Sequence, residues 1–146
     1  MDHRDRLHVK VSRACNNNCI FCLDNRDRRA DVTEEEVRDL LVRHRHIGEM
    51  LFTCGEPTIH PGLPRFVLMA REHGYRSIGL VTNGRMLSYR RYAISLLQRG
   101  LDEATVSIHG SSPRMHDSLT RTRGSFEQTL AGIDNLLRLR ERFPVR

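Results

Sequence analysis

No apolar run in the chain approaches the ~20 residues needed to cross a bilayer. The polar start, Met1-Asp2-His3-Arg4-Asp5-Arg6, lacks the apolar stretch of a secretory signal, so a cytoplasmic protein without a membrane partner is expected. There is no internal repeat and no low-complexity tract. Aromatic residues are scarce, at 5%, and the arginines that carry almost all of the +6 net charge are scattered over helical segments without interleaved aromatics. A basic surface of that kind reads as a solvated face, so a nucleic-acid partner is not expected. Cysteine is also rare, with four residues, yet three of them fall within eight positions. In a reducing compartment, thiols so placed read as metal ligands or catalytic groups and not as disulfide partners.

Apolar residues recur in regular blocks from Leu7 to Phe143, which predicts one ordered domain over residues 1–146. Leu7, Val9 and Val11 alternate with His8 and Lys10, a strand ending at Ser12. Thr33 and Glu36 form a capping box for a helix carrying Val37, Leu40, Leu41 and His44. Met50 to Thr53 makes a second strand, followed by a helix from about Pro61 to His73 that Gly74 stops. Ile78 to Thr82 is a third strand, Asn83-Gly84 its turn, and Ser88 is expected to cap a helix with Ala93, Leu96 and Leu97.

Ala104, Val106 and Ile108 place a fourth strand against apolar neighbours, leaving Thr105, Ser107 and His109 on the opposite face. A long polar loop is expected next, then a helix capped by a box of Ser125 and Gln128 and carrying Phe126, Leu130, Ile133 and Leu137. Four βα units imply an α/β fold with a parallel sheet, in which ligands collect at the C-terminal ends of the strands. Every unusual motif lies at one of those ends.

Cys15-Asn16-Asn17-Asn18-Cys19-Ile20-Phe21-Cys22 offers three thiolates from one loop, suited to cap three corners of an iron–sulfur cube with one iron left open. Zinc is the competing reading, with a histidine or Cys54 completing a structural site. Thr82-Asn83-Gly84 alone marks an ordinary turn, and its place in the order of motifs adds weight.

The C-x3-C-x2-C pattern after a first strand, with an aromatic residue before its last cysteine, resembles the signature of the radical SAM superfamily. Cys54-Gly55-Glu56-Pro57 resembles that family's Gly-Gly-Glu-Pro stretch at the end of the second strand, with Cys54 in place of the first glycine. Two readings stand for Cys54: a tolerated small residue, which is preferred, or a fourth thiol near the cluster. The resemblance implies a [4Fe-4S] cluster on Cys15, Cys19 and Cys22, with S-adenosylmethionine (SAM) chelating the open iron. It also implies that Phe21 lies near the adenine and that Gly55, Glu56 and Pro57 receive the SAM amino group. Thr82 and Asn83 join the same site.

By the same resemblance, Ser107 and His109 face the ribose and methionine portions, against the plainer reading of His109 as a satisfied loop histidine. Arg123, preferred over Arg121, reaches the SAM carboxylate beside a helix N-terminus, against the reading of a surface arginine. His60, His73 and His116 are expected to be ordinary polar residues.

The family's activity is reductive cleavage of SAM to a 5′-deoxyadenosyl radical that takes hydrogen from a substrate, with an electron donor such as a flavodoxin or ferredoxin. The family's core is a partial TIM-type barrel of six βα units, of which four fit here. A C-terminally truncated core is therefore expected, with a fifth strand beginning near Phe143-Pro144-Val145-Arg146. The substrate is left open, with peptide or protein modification and cofactor biosynthesis ranked ahead of RNA. A non-catalytic remnant that binds the cluster or SAM without cleaving SAM is the alternative function.

Overall fold

The computed structural model describes residues 5–23 and 31–146; the polar residues 1–4 lie outside the described residues. Four strands, β1 (Leu7–Lys10), β2 (Glu49–Thr53), β3 (Ser77–Thr82) and β4 (Glu103–Val106), form one sheet in sequence order. All three pairings are parallel. Among the described residues five α-helices accompany them: α1 (Glu34–Arg43), α2 (Leu63–Glu72), α3 (Arg90–Gln98), α4 (Pro113–Thr120) and α5 (Ser125–Leu139). The architecture is the expected α/β parallel partial barrel, with the sheet not closed.

One face of the sheet is covered over β1, β2 and β3 and partly covered over β4, where Ala104 and Val106 are half-buried. Leu7, Val9, Met50, Phe52, Ile78 and Leu80 are buried in one cluster with Val37 and Leu41 of α1, Leu63, Phe66 and Val67 of α2, Ala93 and Leu96 of α3, and Leu136 and Leu139 of α5. The register pairs Leu7 with Met50 and Met50 with Ile78, so these side chains share one face, and His8, Lys10, Leu51, Thr53, Gly79 and Val81 share the other.

That second face is concave. Arg6, just before β1, donates through Nη1 and Nη2 to both carboxylate oxygens of Glu103 on β4, at 2.8 and 3.1 Å, although two strands lie between. A flat sheet would hold β1 and β4 about 14 Å apart. The sheet curls enough for one arginine to bridge its ends. Arg146 continues the curl. Its N–H donates to the Asp102 carbonyl and its carbonyl accepts from Ala104 N–H, the parallel-ladder pattern on the outer edge of β4, where a fifth strand is expected.

Local signals succeed where the partner groups are near in sequence. Thr33 and Glu36 form the reciprocal capping box of α1, and Gly74 stops α2 with φ +86°. Three expectations are corrected. The segment after β4 contains α4, started by the Ser112 hydroxyl accepting from Met115 N–H and by Pro113 in the first turn. Ser88 does not cap α3; it ends a 3-10 turn (Arg85–Ser88), and its hydroxyl donates to the Arg85 carbonyl. Ser125 is the first residue of α5 and no cap, while Gln128 accepts from Arg85.

Candidate metal centre and cofactor site

Two left-handed residues turn the chain at the end of β2: Cys54 with φ +70° and Gly55 with φ +57°. A side chain on Gly55 would put a Cβ 2.6 Å from both the Ser12 and Ala14 carbonyl oxygens. The glycine lets this turn lie directly on the root of the cysteine loop, where Glu56 N–H donates to the Ala14 carbonyl at 2.8 Å. Cys54 occupies a conformation that L-residues adopt at a cost of about 1 kcal/mol, which explains why glycine suits the position. Its Sγ lies 3.5 Å from Thr53 Oγ1, and it is a free thiol.

Glu56 is 1% exposed and caps a short 3-10 turn (Pro57–Ile59) whose Pro57 and Thr58 are buried. Its Oε1 accepts from Thr58 N–H at 3.0 Å and from Thr82 Oγ1 at 2.6 Å, and its Oε2 accepts from Asn83 N–H at 2.6 Å. The carboxylate thus ties the end of β2 to the end of β3. Thr82 Oγ1 in turn accepts from Gly84 N–H, closing the turn that follows.

From that turn two side chains hold the cysteine loop. Asn83 Nδ2 donates to Asn16 Oδ1 at 2.6 Å and lies 3.9 Å from Cys15 Sγ. Arg85 donates to the Asn16 carbonyl and to Asn17 Oδ1, and through Nε to Gln128 of α5. On the far side, Asn18 N–H and Ile20 N–H donate to the Thr120 and Leu119 carbonyls at the end of α4. The loop is therefore gripped from the turn after β3 and from α4, with Arg85 itself tied to α5.

Cys15 and Cys22 are exposed and Cys19 is half-buried; none is in a disulfide. Burial pushes the Cys15 and Cys19 thiols up, and the neighbouring thiols push in the same direction. For Cys15 the N–H of Asn17, 3.4 Å from Sγ, and the Asn83 amide oppose this by favouring the thiolate. Among the described residues no group of three or more His, Cys, Asp or Glu side chains is placed to hold a metal ion, so the fit rests on the chemistry of the donor set: three soft thiols on one loop, backed by N–H donors, are of the kind an iron–sulfur cluster takes.

At the end of β4, Ser107 N–H donates to the Thr82 carbonyl, which brings Ser107 beside the same turn. The Phe21 ring stands 4.7 Å, edge-on, from His109, and His109 stacks on His116 at 5.8 Å. His116 is 1% exposed; its Nδ1 accepts from His109 N–H, and its Nε2 has no partner among the described residues. It is a buried element of the site's wall, contrary to its reading as an ordinary polar residue.

The N-terminus of α5 is already occupied. The Asp117 carboxylate accepts from Gly124 N–H at 2.7 Å, Phe126 N–H at 2.9 Å and Ser125 Oγ at 2.9 Å. Burial raises the Asp117 pKa, but the bonds from Phe126 and Gly124 outweigh it and hold the carboxyl below its usual range. Arg123 is exposed and makes no ion pair among the described residues.

Most of the expected residues thus converge: Cys15, Cys19, Cys22, Phe21, Gly55, Glu56, Pro57, Thr82, Asn83, Ser107 and His109 lie around the C-terminal strand ends, with Arg123 at the margin. Sequence reasoning missed Asn16, Arg85, His116 and Asp117. Only Arg85, adjacent to Asn83-Gly84, carried a signal that could have been read.

A curled parallel α/β sheet with a three-cysteine loop pinned at its C-terminal edge defines a class of cluster-bearing partial barrels. The Radical SAM superfamily model matches residues 9–142. This chain belongs to that superfamily, whose enzymes use a [4Fe-4S] cluster and SAM. It is 31% identical over 138 residues to a GTP 3′,8-cyclase of Chlorobaculum tepidum, covering 91% of this chain and 41% of the relative. It is 30% identical over 132 residues to a probable GTP 3′,8-cyclase of Methanopyrus kandleri, covering 88% and 42%. The chain therefore spans about two fifths of the length of these curated relatives. Among solved structures, Streptococcus suis SuiB bound to precursor peptide SuiA shares the fold, with a TM-score of 0.66 at 16% identity over 90% of this chain and 31% of that one. No helix among the described residues is long and apolar enough to cross a membrane.

Proposed function

We propose that this chain holds a [4Fe-4S] cluster on Cys15, Cys19 and Cys22, binds SAM beside it, and serves a radical reaction on a purine nucleoside triphosphate of the GTP kind. The observation that carries this reading is the set of hydrogen bonds joining three motifs into one unit: Asn83 binds Glu56 through its N–H and Asn16 through its side chain. The nucleotide follows from the curated relatives and is set in place of a peptide, one of the two substrate classes ranked together from sequence.

A cluster held by these cysteines would supply one electron for SAM cleavage, drawn from a donor such as a flavodoxin or ferredoxin. The chain's own residues position and shield. Glu56 Oε2 accepts a single hydrogen bond among the described residues and so keeps acceptor capacity for the SAM ammonium. Gly55 and Pro57 shape the turn that presents it, and Thr82 holds the carboxylate in place. Phe21, propped by His109, offers a flat apolar surface for the adenine and keeps water from that side. Ser107 provides a hydroxyl toward the ribose, and Arg123 a cation toward the carboxylate.

The test is anaerobic reconstitution with iron and sulfide, reduction with SAM, and assay of 5′-deoxyadenosine with and without GTP. About four irons per chain and 5′-deoxyadenosine formation support the reading. A cluster without SAM cleavage would place the chain with the non-catalytic alternative, and a single bound zinc would overturn the ligand assignment.

A further inference from the structure

The concave face of the sheet is layered by the parallel register. At the bottom Arg6 joins Glu49 and Glu103, and Arg146 also meets Glu103. The next layer holds His8, Leu51, Gly79 and Glu103, paired in that order across the four strands. Leu51 Cδ1 fills the space a Gly79 side chain would take, 2.6 Å from an ideal Cβ, and forms a floor. Above it Lys10 pairs with Thr53, and Val81 with Thr105. Above that lie Asn83 and Ser107, then the cysteine loop.

Lys10 is thus one layer below the proposed SAM contacts, on the face that helices do not cover. It is exposed and makes no hydrogen bond or ion pair among the described residues. The carboxylates below it are met by Arg6 and Arg146, and its own layer offers only two hydroxyls and a valine. A lone ammonium in a concave polar layer calls for an anion.

Its identity adds an independent argument. Of the 24 basic residues in this sequence, Lys10 is the only lysine; the other 23 are arginine. A composition so biased puts arginine wherever any cation suffices. A lysine in this one recess marks a position where a compact, rotatable point charge is wanted and a planar guanidinium is too broad.

We propose that Lys10, beside Thr53 and in the same layer as Thr105, is the anion-recognition residue of the substrate subsite, taking a phosphate oxyanion of the substrate. The inference rests on the nucleotide reading for the source of that oxyanion, and on the fold alone for its place. Phosphate held in this layer orients the rest of the substrate upward, toward the cysteine loop.

Because there is one lysine per chain, selective 13C labelling of lysine gives a single side-chain signal that reports on Lys10. The full chain would be titrated with GTP, inorganic triphosphate, guanosine and SAM, in the wild type and in Lys10→Met and Lys10→Arg. The expected result is a saturable shift of that signal with GTP and with triphosphate but not with guanosine or SAM. Lys10→Met then loses about tenfold or more in triphosphate affinity. Lys10→Arg stays weakened, while SAM affinity and thermal midpoint are unchanged in both variants.

Normal GTP affinity in Lys10→Met, or a shift produced by SAM alone, would overturn the assignment and leave the nucleotide reading intact. A shift with triphosphate but none with GTP would keep the assignment and remove the nucleotide. A signal that neither moves would overturn the assignment of Lys10, and only a lack of measurable GTP binding to the wild type would overturn the nucleotide reading as well.

Discussion

The N–H of Asn83 donates to Glu56 Oε2 at 2.6 Å, joining the turn after β3 to the turn after β2 beneath the cysteine loop. With Thr58 and Thr82 bound to the other oxygen, Glu56 is as much a brace of the site as a candidate SAM ligand. Glu56→Ala leaves several buried donors unpaired and should cost about 3 kcal/mol in chemical denaturation. Glu56→Gln keeps the shape, sets an amide against one of those donors, and should weaken SAM binding with iron content preserved. Unchanged SAM affinity in Glu56→Gln would limit this residue to the brace.

Cys54→Gly should raise stability by about 1 kcal/mol, because glycine adopts φ +70° without the Cβ penalty. Iron and sulfide content after reconstitution should not change, whereas Cys15→Ala, Cys19→Ala and Cys22→Ala should each abolish the cluster. Loss of the cluster in Cys54→Gly would make Cys54 a fourth ligand.

Gly132 marks where α5 is pressed onto the turn after β3: an added Cβ would stand 2.2 Å from the Gly84 carbonyl oxygen, which is backbone and cannot swing aside. Gly132→Ala should cost about 2 kcal/mol or more. Amide exchange at residues 83–88 should speed up with it. Protection there equal to the wild type would mean that α5 does not hold this turn.

Burial keeps the His116 imidazole below its ordinary range; His109 adds to the effect and Asp117 opposes it. The folded state therefore prefers the neutral ring, and its stability is complete above the unfolded value of about 6.5 and declines as pH falls through the folded value. The melting midpoint should drop between pH 7 and pH 5, and His116→Gln should flatten that drop. An unaltered pH profile in His116→Gln would assign the dependence to another group.

Arg85 spans the site, from Gln128 of α5 to Asn16 and Asn17 of the cysteine loop. Arg85→Met should leave the thermal midpoint within a few degrees of the wild type but lower cluster occupancy, because the loop loses its anchor and not its thiols. Full iron content in Arg85→Met would show that the remaining bonds from Asn83, Thr120 and Leu119 suffice.

The legible parts of this molecule rest on short-range chemistry. The β1 alternation of Leu7, Val9 and Val11, the Thr33–Glu36 box and the spacing of Cys15, Cys19 and Cys22 each involve groups a few residues apart, so the sequence order already expresses the contact. The illegible parts are long-range substitutions for those local devices. Ser125 and Gln128 have the spacing of a capping box, but Asp117 takes the cap, and Gln128 is drawn to Arg85, 43 residues away.

By itself the amino-acid sequence determined the order of the four strands and of every helix but α4, the helix-covered face of β1, β2 and β3 and the loop that carries the thiols, because periodicity and nearest-neighbour bonding decide these. Only the tertiary structure decided that Glu56 is a buried brace, that His116 walls the site, and that Arg6 reaches Glu103. The curl of the sheet sets those distances, and it is a property of four strands packed together that no one segment contains.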